Sequence, residues 1–268
     1  MKSLIQSTYW RVKYHKTTPY NIRHDDLYLV EFPKSGVTWL SFILANIIQQ
    51  KSEEKFDINF FNFTQFIADI NYSKHISLNK KLQPYRIIKS HSFYNPFYKH
   101  IIYIIRNPFN VMLSYYSFLT SLKVIDISFN EFIRHKKFGI KRWVSHTESW
   151  LNKNTGGHRL YLIKYEDLFE DTNLSVLKLI KTLGWKVDEG IIEKAVTLSS
   201  FTKMKKLEQN YAETNPKYDL KFVRKGKLGI KTMKKESYNY IFENCENIIK
   251  EFWDDIDFKS FISDKKEA

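Results

Sequence analysis

Cysteine is nearly absent from this sequence, whose 268 residues include only Cys245. A single cysteine excludes an intrachain disulfide and a zinc site built from several thiolates, so we expect a reducing compartment, the cytoplasm. Glycine is also scarce, with eight residues, which argues against collagen-like, propeller and linker-rich architectures. The longest apolar stretch, residues 39–48, is far shorter than the roughly 20 residues that cross a bilayer, so no membrane span is predicted.

Acidic residues are outnumbered, with 29 Asp and Glu against 43 Lys and Arg, which gives a net charge of +14. The excess is concentrated in residues 1–24, which have five basic and no acidic residues, and in residues 217–235, which have eight basic residues and one acidic residue. Proteins that bind nucleic acids spread their cations along a face, whereas a local cationic loop suits one small, strongly anionic ligand. We therefore expect no nucleic acid partner. The alternatives are a solvated basic loop at 217–235 and an organelle transit peptide at 1–24.

The apolar segments of the chain alternate between strand length and helical period. Strands are predicted at Leu27–Phe32, Tyr85–Lys89, Ile101–Ile105 and Leu160–Ile163, and such continuous runs are typical of strands covered on both faces. Helices are predicted at Thr38–Gln50, Pro108–Leu122, residues 173–183 with Gly184 as the C-terminal cap, and residues 237–253, whose apolar stripe is Ile241, Cys245, Ile248 and Phe252.

This order of elements predicts an α/β fold in which a parallel β-sheet is flanked by helices on both faces. We expect residues 1–268 to form one domain, with a basic N-terminal segment at 1–24, a basic loop at 212–236 and a polar tail at 263–268. In such sheets ligands bind beyond the carboxyl ends of the strands.

The first candidate ligand site is a P-loop-like strand, tight loop and helix start between Leu27 and Leu40, with the sequence Phe-Pro-Lys-Ser-Gly-Val-Thr-Trp in its centre. Gly36 allows the backbone to close around an anion, the first amides of the helix point into the loop, and Lys34 adds positive charge. The segment is not a Walker A loop, because the lysine precedes the glycine. It predicts a phosphate or sulfate site, and the alternative is an incidental turn with a surface lysine.

The second candidate site begins where the strand ending at Ile105 passes into a helix. Arg106 carries a planar guanidinium group that can grip a phosphate. Pro108 begins the helix, on which Asn110 and Ser114 share a face. The alternatives are that Arg106 pairs with a carboxylate and that Ser114 bonds back to its own helix.

Six short segments, in the same order, resemble the cytosolic-type sulfotransferase family, which uses 3′-phosphoadenosine 5′-phosphosulfate (PAPS) as sulfuryl donor. They are Pro-Lys-Ser-Gly-x-Thr-Trp-Leu from Pro33, Lys-Ser-His from Lys89, Arg-Asn-Pro with Ser-Tyr-Tyr from Arg106, Tyr-Glu-Asp-Leu from Tyr165, Ser-Ser-Phe-Thr-Lys-Met from Ser199, and Phe-Val-Arg-Lys-Gly from Phe222. The matches run from residue 27 to about residue 230, so they cover most of the chain.

The resemblance implies a set of donor-binding residues by matching position. The 5′-phosphosulfate is expected at Lys34, Ser35, Gly36, Val37, Thr38 and Trp39, and the 3′-phosphate at Arg106 and Ser114, with Arg224, Lys225 and Gly226 closing over it from the basic loop. The adenine is expected near Tyr165, Ser199, Ser200, Phe201 and Met204. For Tyr165, an ordinary aromatic residue at a strand end remains the alternative.

The resemblance further implies that His91 is the catalytic base, with Lys34 and Lys89 as the catalytic cations. An imidazole has a pKa near 6.5 and can accept a hydroxyl proton near neutral pH. Glu53 and Glu54 are the rival bases, although their segment has the pattern of a solvated charge cluster. No metal is expected, because the sequence contains no H-E-x-x-H motif and no carboxylates at ligand spacing.

The sequence departs from the family pattern in three places. Val37 stands where the family usually has a second threonine, and the residues after Gly226 lack the usual Asp-Trp-Lys. The family's dimerisation pattern is not found near the C-terminus, so the oligomeric state stays open.

The expected function is transfer of the sulfuryl group from PAPS to a hydroxyl or amine of a small, lipophilic or phenolic acceptor, with 3′-phosphoadenosine 5′-phosphate (PAP) as product. Aromatic residues between and after the motifs are candidates for the acceptor site or for plain core: Phe60, Phe61, Phe63, Phe66, Tyr72, Phe93, Tyr94 and Phe97. The alternative functions are a nucleotide kinase-like P-loop enzyme and a non-enzymatic nucleotide- or nucleic-acid-binding protein.

Overall fold

The computed structural model describes residues 14–53, 56–72, 74, 76, 85–152, 158–215, 232–256 and 258–262. Several predicted features therefore lie outside the described residues. These are residues 1–13 of the basic N-terminal segment, residues 216–231 of the basic loop with Arg224, Lys225 and Gly226, and the polar tail 263–268.

Five parallel strands form one sheet in the order β2-β3-β1-β4-β5. The strands are β1 (Asp26–Glu31), β2 (Ile67–Asp69), β3 (Arg86–Ser90), β4 (His100–Ile105) and β5 (Arg159–Lys164). Four of them begin and end within one residue of the predicted bounds. β2 is not predicted from the sequence, because a strand of three residues is too short to reveal a period. The central strand β1 pairs with β3 on one side and β4 on the other, which places a ligand crevice at its carboxyl end.

Within the described part of the chain the sheet is accompanied by nine helices. They are α1 (Val37–Gln50), α2 (Pro108–Ser121), α3 (Phe129–Arg134), α4 (Ile140–Leu151), α5 (Tyr165–Glu170), α6 (Thr172–Thr182), α7 (Glu189–Leu198), α8 (Phe201–Thr214) and α9 (Lys235–Trp253). None of the helices that the structure describes has the length and apolar content needed to span a bilayer.

Alternate residues of β1 face two separate apolar layers, as the pleat of a strand requires. Leu27 and Leu29 pack among the apolar residues of α1, α6 and α7, whereas Tyr28 and Val30 pack among those of α2, α4 and α9. All four side chains are fully buried. The predicted α/β fold with helices on both faces of a parallel sheet is therefore confirmed.

The last helix, α9, packs on α2, α3 and α4 through an apolar stripe that differs slightly from the predicted one. Ile241, Cys245 and Ile248 are buried as expected, but Trp253 replaces Phe252, which is only half-buried. The backbone of Cys245 leaves the helical range, with φ −138° and ψ 17°. The helix is therefore kinked at Cys245, ahead of the point at which the predicted stripe fails.

Candidate active site

The loop between β1 and α1 turns with two residues in the left-handed region of φ. These are Lys34, at φ 77°, and Gly36, at φ 118°. The amide of Ser35 donates to the carbonyl of Phe32 at 3.2 Å, and the amide of Leu40 donates to the carbonyl of Gly36 at 3.3 Å. The turn therefore ends directly on the positive end of the α1 dipole, which favours an anion.

Gly36 is required by a close approach as well as by its φ. A Cβ atom at this position would lie 2.5 Å from Cδ2 and 2.9 Å from Cε2 of Tyr165. Tyr165 follows β5 and opens α5, so its ring packs directly against the backbone of the loop. The structure thus brings the first motif and the predicted adenine contact together.

Arg106 joins the two predicted anion sites. Its Nη1 donates to the carbonyl oxygen of Lys34 at 2.9 Å, and its guanidinium carbon lies 4.1 Å from the centre of the Tyr165 ring. The ammonium of Lys34 lies 4.3 Å from the centre of the Phe118 ring, one helical turn after Ser114 on α2. Lys34, Arg106, Tyr165 and the Ser114 face of α2 therefore surround one crevice.

The predicted adenine residues cluster beside this crevice through Trp39. The indole Nε1 of Trp39 donates to the carbonyl of Ser199 at 3.0 Å, and its ring centre lies 5.9 Å from that of Tyr165. Asn46 Nδ2 donates to Ser199 Oγ at 3.0 Å. The sequence analysis does not predict Phe169, whose ring lies 6.5 Å from Trp39. Its spacing of four residues from Tyr165 on α5 is the signal that could have identified it.

The remaining residues of the Ser199 segment have different environments. Ser200 is the N-terminal cap of α8, Phe201 is half-buried in its first turn, and Met204 is buried in the apolar layer beneath. Val37 is buried in the same layer. Its backbone amide, and not its side chain, therefore belongs to the loop.

His91 lies directly after β3, at the same edge of the sheet. Its Nδ1 is 3.3 Å from the backbone carbonyl oxygen of Glu31. Because a carbonyl can only accept, Nδ1 carries the proton and Nε2 keeps its lone pair. Burial lowers the pKa of His91 well below its usual value, and the positive charge of Lys89 lowers it further. The imidazole is therefore neutral near pH 7, with 28% of its side chain exposed.

Lys89 is held at this edge by a residue of the unpredicted strand β2. Its Nζ lies 3.3 Å from Oδ2 of Asp69, and the two residues are opposite each other in the register of β2 and β3. The two side chains are 14% and 9% exposed. Asp69 thus fixes the position of the cation that the resemblance assigns to the sulfuryl oxygens.

Glu31 is a second buried acid that the sequence analysis does not predict. It ends β1 with 3% exposure, and its Oε2 accepts the amide hydrogen of Val37 at 2.7 Å. Burial raises the pKa of Glu31 to about 7. The rival base Glu53 is exposed after the C-terminal end of α1, and Glu54 lies outside the described residues. Because α1 spans about 20 Å from the loop, Glu53 is far from His91.

The aromatic residues proposed for the acceptor site separate into two groups. Phe60 and Phe63 pack on Phe42 at 4.7 and 4.9 Å between ring centres, within the apolar layer of α1, as the core alternative states. Phe61 and Tyr72 are exposed. By contrast, three aromatic residues cluster around His146 of α4, which lies within electrostatic range of His91: Phe93 lies 5.1 Å from His146, Phe32 lies 5.7 Å from His146, and Tyr115 lies 5.7 Å from Phe32.

The remaining predicted aromatics have other neighbours. Tyr94 packs on Trp150 at 5.5 Å, Phe66 packs on Phe56 at 5.8 Å, and Phe97 is half-buried. None of these contacts involves His91.

The crevice has the donors that a nucleotide with phosphate and sulfate groups requires. The Oγ of Ser35 and the Nε of Arg106 are buried and have no hydrogen-bond partner in the described ranges. Both are donors, and both are in the loop and strand ends that carry the positive charge. Unsatisfied buried donors are rare in proteins and indicate a ligand that completes them. Among the same residues, no group of three His, Cys, Asp or Glu side chains is arranged to hold a metal ion.

Comparison with known proteins gives a consistent result. A family model described as a sulfotransferase domain matches residues 24–255. Sulfotransferase 1E1 of Bos taurus is 32% identical over 241 residues, which cover 81% of this chain and 80% of the relative. Sulfotransferase 1E1 of Cavia porcellus is 35% identical over 205 residues, covering 69% of this chain and 68% of the relative.

Solved structures share the fold at lower identity. Mouse sulfotransferase SULT7A1 aligns with a TM-score of 0.61 and 21% identity, covering 92% of this chain and 90% of its own. A retinol dehydratase aligns with a TM-score of 0.66 and 16% identity, covering 89% and 84%. The similarity therefore extends over the sheet and both helical layers.

Proposed function

This chain belongs to the sulfotransferase family, and on that premise we propose that it transfers the sulfuryl group of PAPS to a hydroxyl or amine of a small lipophilic or phenolic acceptor. The observation that carries the proposal is the contact of Arg106 with both the Lys34 carbonyl and the Tyr165 ring. This contact supports a single crevice that contains both predicted anion sites and the predicted adenine site at Tyr165. The kinase-like and non-enzymatic alternatives are not favoured by the family membership.

The residues proposed to bind PAPS act by neutralising its charges and by orienting it. Ser35, Gly36 and Thr38 would hold the 5′-phosphosulfate, because the Val37 amide already donates to Glu31, while Arg106 and Ser114 would hold the 3′-phosphate. Trp39, Tyr165 and Ser199 would receive the adenine, with Ser200, Phe201 and Met204 behind them. The roles of Arg224, Lys225 and Gly226 remain predictions. Both structural neighbours were solved with PAP bound, which supports PAPS as donor and PAP as product.

His91 has the geometry of a general base for an in-line transfer. Its Nε2 would take the proton of the acceptor while the acceptor oxygen or nitrogen forms a bond to sulfur and the bond between sulfur and the 5′-phosphate oxygen breaks. The electron pair of that broken bond goes to the phosphate, which leaves as PAP. Lys34 would stabilise the negative charge of the leaving phosphate, and Lys89 that of the sulfuryl oxygens.

The acceptor class follows from the side chains around His91. Phe32, Phe93 and Tyr115 form an aromatic cluster around His146, which lies within electrostatic range of His91, and the guanidinium carbon of Arg142 lies 4.0 Å from the centre of the Phe93 ring. Such a wall suits an apolar or phenolic molecule whose single polar group meets the base. The retinol dehydratase structures contain androsterone and retinol, both lipophilic alcohols, which supports this class. We further place the enzyme in the cytoplasm, because its single cysteine is buried and has no second cysteine to pair with.

Two measurements test the proposal. Calorimetry with PAP is expected to detect binding, and incubation with PAPS carrying labelled sulfur and a mixed library of phenols, alcohols and amines is expected to label an acceptor. The His91→Gln variant should bind PAP with unchanged affinity and lose about 10²–10⁴-fold in transfer rate. Absence of PAP binding by the wild-type protein would overturn the assignment of PAPS as the sulfuryl donor. Full activity of His91→Gln would overturn the assignment of His91 as the base.

A further inference from the structure

Glu31 is a buried acid in a position where the sheet otherwise holds apolar side chains. It follows Leu29 on the same face of β1 and pairs with Ile104 in β4. A buried carboxylate is costly unless hydrogen bonds and opposite charges compensate for it. Its retention at 3% exposure therefore calls for a specific role.

The carboxyl group of Glu31 contacts the donor loop and the base at once. Oε2 accepts the Val37 amide hydrogen at 2.7 Å, at the start of α1. Oε1 lies 3.8 Å from His91 Nδ1, and the backbone oxygen of Glu31 lies 3.3 Å from the same nitrogen. Both oxygen atoms therefore face the protonated side of the imidazole, opposite the Nε2 that meets the acceptor.

The charges around Glu31 come from every neighbouring element. Burial raises the pKa of Glu31 to about 7, against the lowering effects of the Val37 amide, Lys89 of β3, Lys34 of the loop and Arg106 after β4. Tyr103 of β4 and Tyr165 of α5 also lie within electrostatic range. Around His91 itself are Lys89, Asp69, Lys34 and the neutral His146 of α4. Glu31 is the buried carboxyl that directly faces Nδ1.

We propose that Glu31 is a positioning residue: its backbone carbonyl orients His91 through Nδ1, and its carboxylate, 3.8 Å from the same nitrogen, stabilises the imidazolium that forms during transfer. The inference rests on the proposed function of His91 as the base. When His91 Nε2 accepts the acceptor proton, the imidazole gains a positive charge, and the ionised Glu31 offsets it without itself gaining or losing a proton. No bond to Glu31 forms or breaks.

The role predicts a specific pH dependence. Only ionised Glu31 offsets the imidazolium, so kcat should rise as the pH increases through about 7, the pKa of this carboxyl, or through a higher value once an anionic donor is bound. We call this rise of kcat with pH the limb near pH 7. It does not come from His91, whose pKa lies well below its usual value. It should therefore disappear from this range when Glu31 is replaced by a neutral residue.

The test compares Glu31→Gln with two other variants by steady-state kinetics from pH 5.5 to 9 and by calorimetry with PAP. Glutamine retains an oxygen for the Val37 amide but removes the charge. We expect kcat to fall at least tenfold, the PAP dissociation constant to stay within about threefold, and the limb near pH 7 to vanish. Glu31→Asp restores the charge and should recover part of kcat together with the limb.

Glu166→Gln provides the matched control, because Glu166 is another buried glutamate that accepts a backbone amide, that of Asn107 at 3.1 Å. This variant should retain the limb near pH 7. Glu31→Gln with wild-type kcat and pH profile would overturn the inference, as would equal losses of kcat and PAP affinity, which would reduce Glu31 to a support for the loop. Failure of the proposed function is distinguishable, because it would appear in wild-type PAP binding or in an active His91→Gln.

Discussion

Gly36 shows how a single position can be fixed by two independent constraints. Its φ of 118° lies in the range that L side chains rarely adopt, and the Tyr165 ring occupies the space of a Cβ atom. The sequence analysis predicts the first constraint, because a tight loop before a helix favours glycine. The second cannot be predicted from local sequence, since it depends on a ring 129 positions later in the chain.

Replacing Gly36 with alanine should therefore affect both stability and donor binding. The left-handed backbone and the displaced Tyr165 ring together should cost about 2–4 kcal/mol of unfolding free energy, measured by urea denaturation. Because Tyr165 also packs on Arg106, PAP affinity should fall at least tenfold in calorimetry. Wild-type stability with wild-type PAP affinity would contradict this account of the loop.

The same limit explains why Glu31 and Asp69 are not predicted from the sequence. Their roles depend on the register of β1 and β2 with β3, which brings Glu31 to His91 and Asp69 to Lys89. Lys34 and Arg106 are predicted from a tight loop and a strand end as well as from the family motifs, whereas His91 is predicted as the base by the resemblance alone, and the roles of all three stay predictions.

At the scale of elements, both ends of α6 are capped by residue types that favour helix ends, aspartate at the start and glycine after the last turn. Asp171 caps the helix by accepting the amide of Leu174 at 2.9 Å. At the other end, the amides of Gly184 and Trp185 donate to the carbonyls of Lys181 and Ile180, each at 3.0 Å. This is a Schellman motif, and its glycine has a φ of 70°. The predicted cap at Gly184 is therefore confirmed.

Gly184 and Gly190 allow a matched test of this cap. A Cβ atom would meet nothing within 4 Å at either position, so only the backbone differs. Gly184→Ala should lose about 1–2 kcal/mol of unfolding free energy because of its left-handed φ. Gly190→Ala, within α7, should gain up to about 1 kcal/mol. Equal shifts of the urea midpoint for the two variants would contradict the assignment.

Helices and strands differ in how well the sequence predicts them. The four strands with continuous apolar runs are predicted within one residue. Burial on both faces accounts for this in β1 and β4, whereas β5 is an edge strand that contains no buried residue, so the predicted cover on both faces is wrong for β5. Neither α4 nor α8 is predicted, although α4 carries buried residues at helical spacing, Ile140, Trp143, Thr147 and Trp150, a pattern from which this helix could have been identified. α8, with Met204 as its one buried apolar side chain, offers almost no apolar stripe to identify.

At the scale of the whole molecule, a buried ion pair lies at the edge of the sheet opposite the crevice. Arg86 donates to both oxygens of Asp26, at 2.6 and 2.8 Å, and to the carbonyls of Ile76 and Asn21, at 2.8 and 2.7 Å. Both charged side chains are at most 2% exposed. One guanidinium thereby joins β1, β3 and the segments that precede them.

Removing Arg86 should destabilise the whole sheet. Arg86→Met leaves a buried, unpaired Asp26 and should cost about 3–5 kcal/mol of unfolding free energy, measured by urea denaturation. Lys181→Met, which breaks the exposed pair with Glu189 at 3.4 Å, is the control and should cost less than about 1 kcal/mol. Similar losses of unfolding free energy in Arg86→Met and Lys181→Met would contradict this prediction, because the buried pair would then stabilise the protein no more than the exposed pair does.

The parallel pairing of β1 with β3 and β4 has a kinetic consequence. Asp26 aligns with Arg86 and Leu27 aligns with His100, so each contact closes a loop of dozens of residues before the central strand gains any partner. Chain entropy makes such closures slow, while the helices can form in microseconds. We therefore expect the crevice to be among the last parts of the protein to assemble during folding, so that recovery of PAP binding in refolding experiments should coincide with the completion of folding.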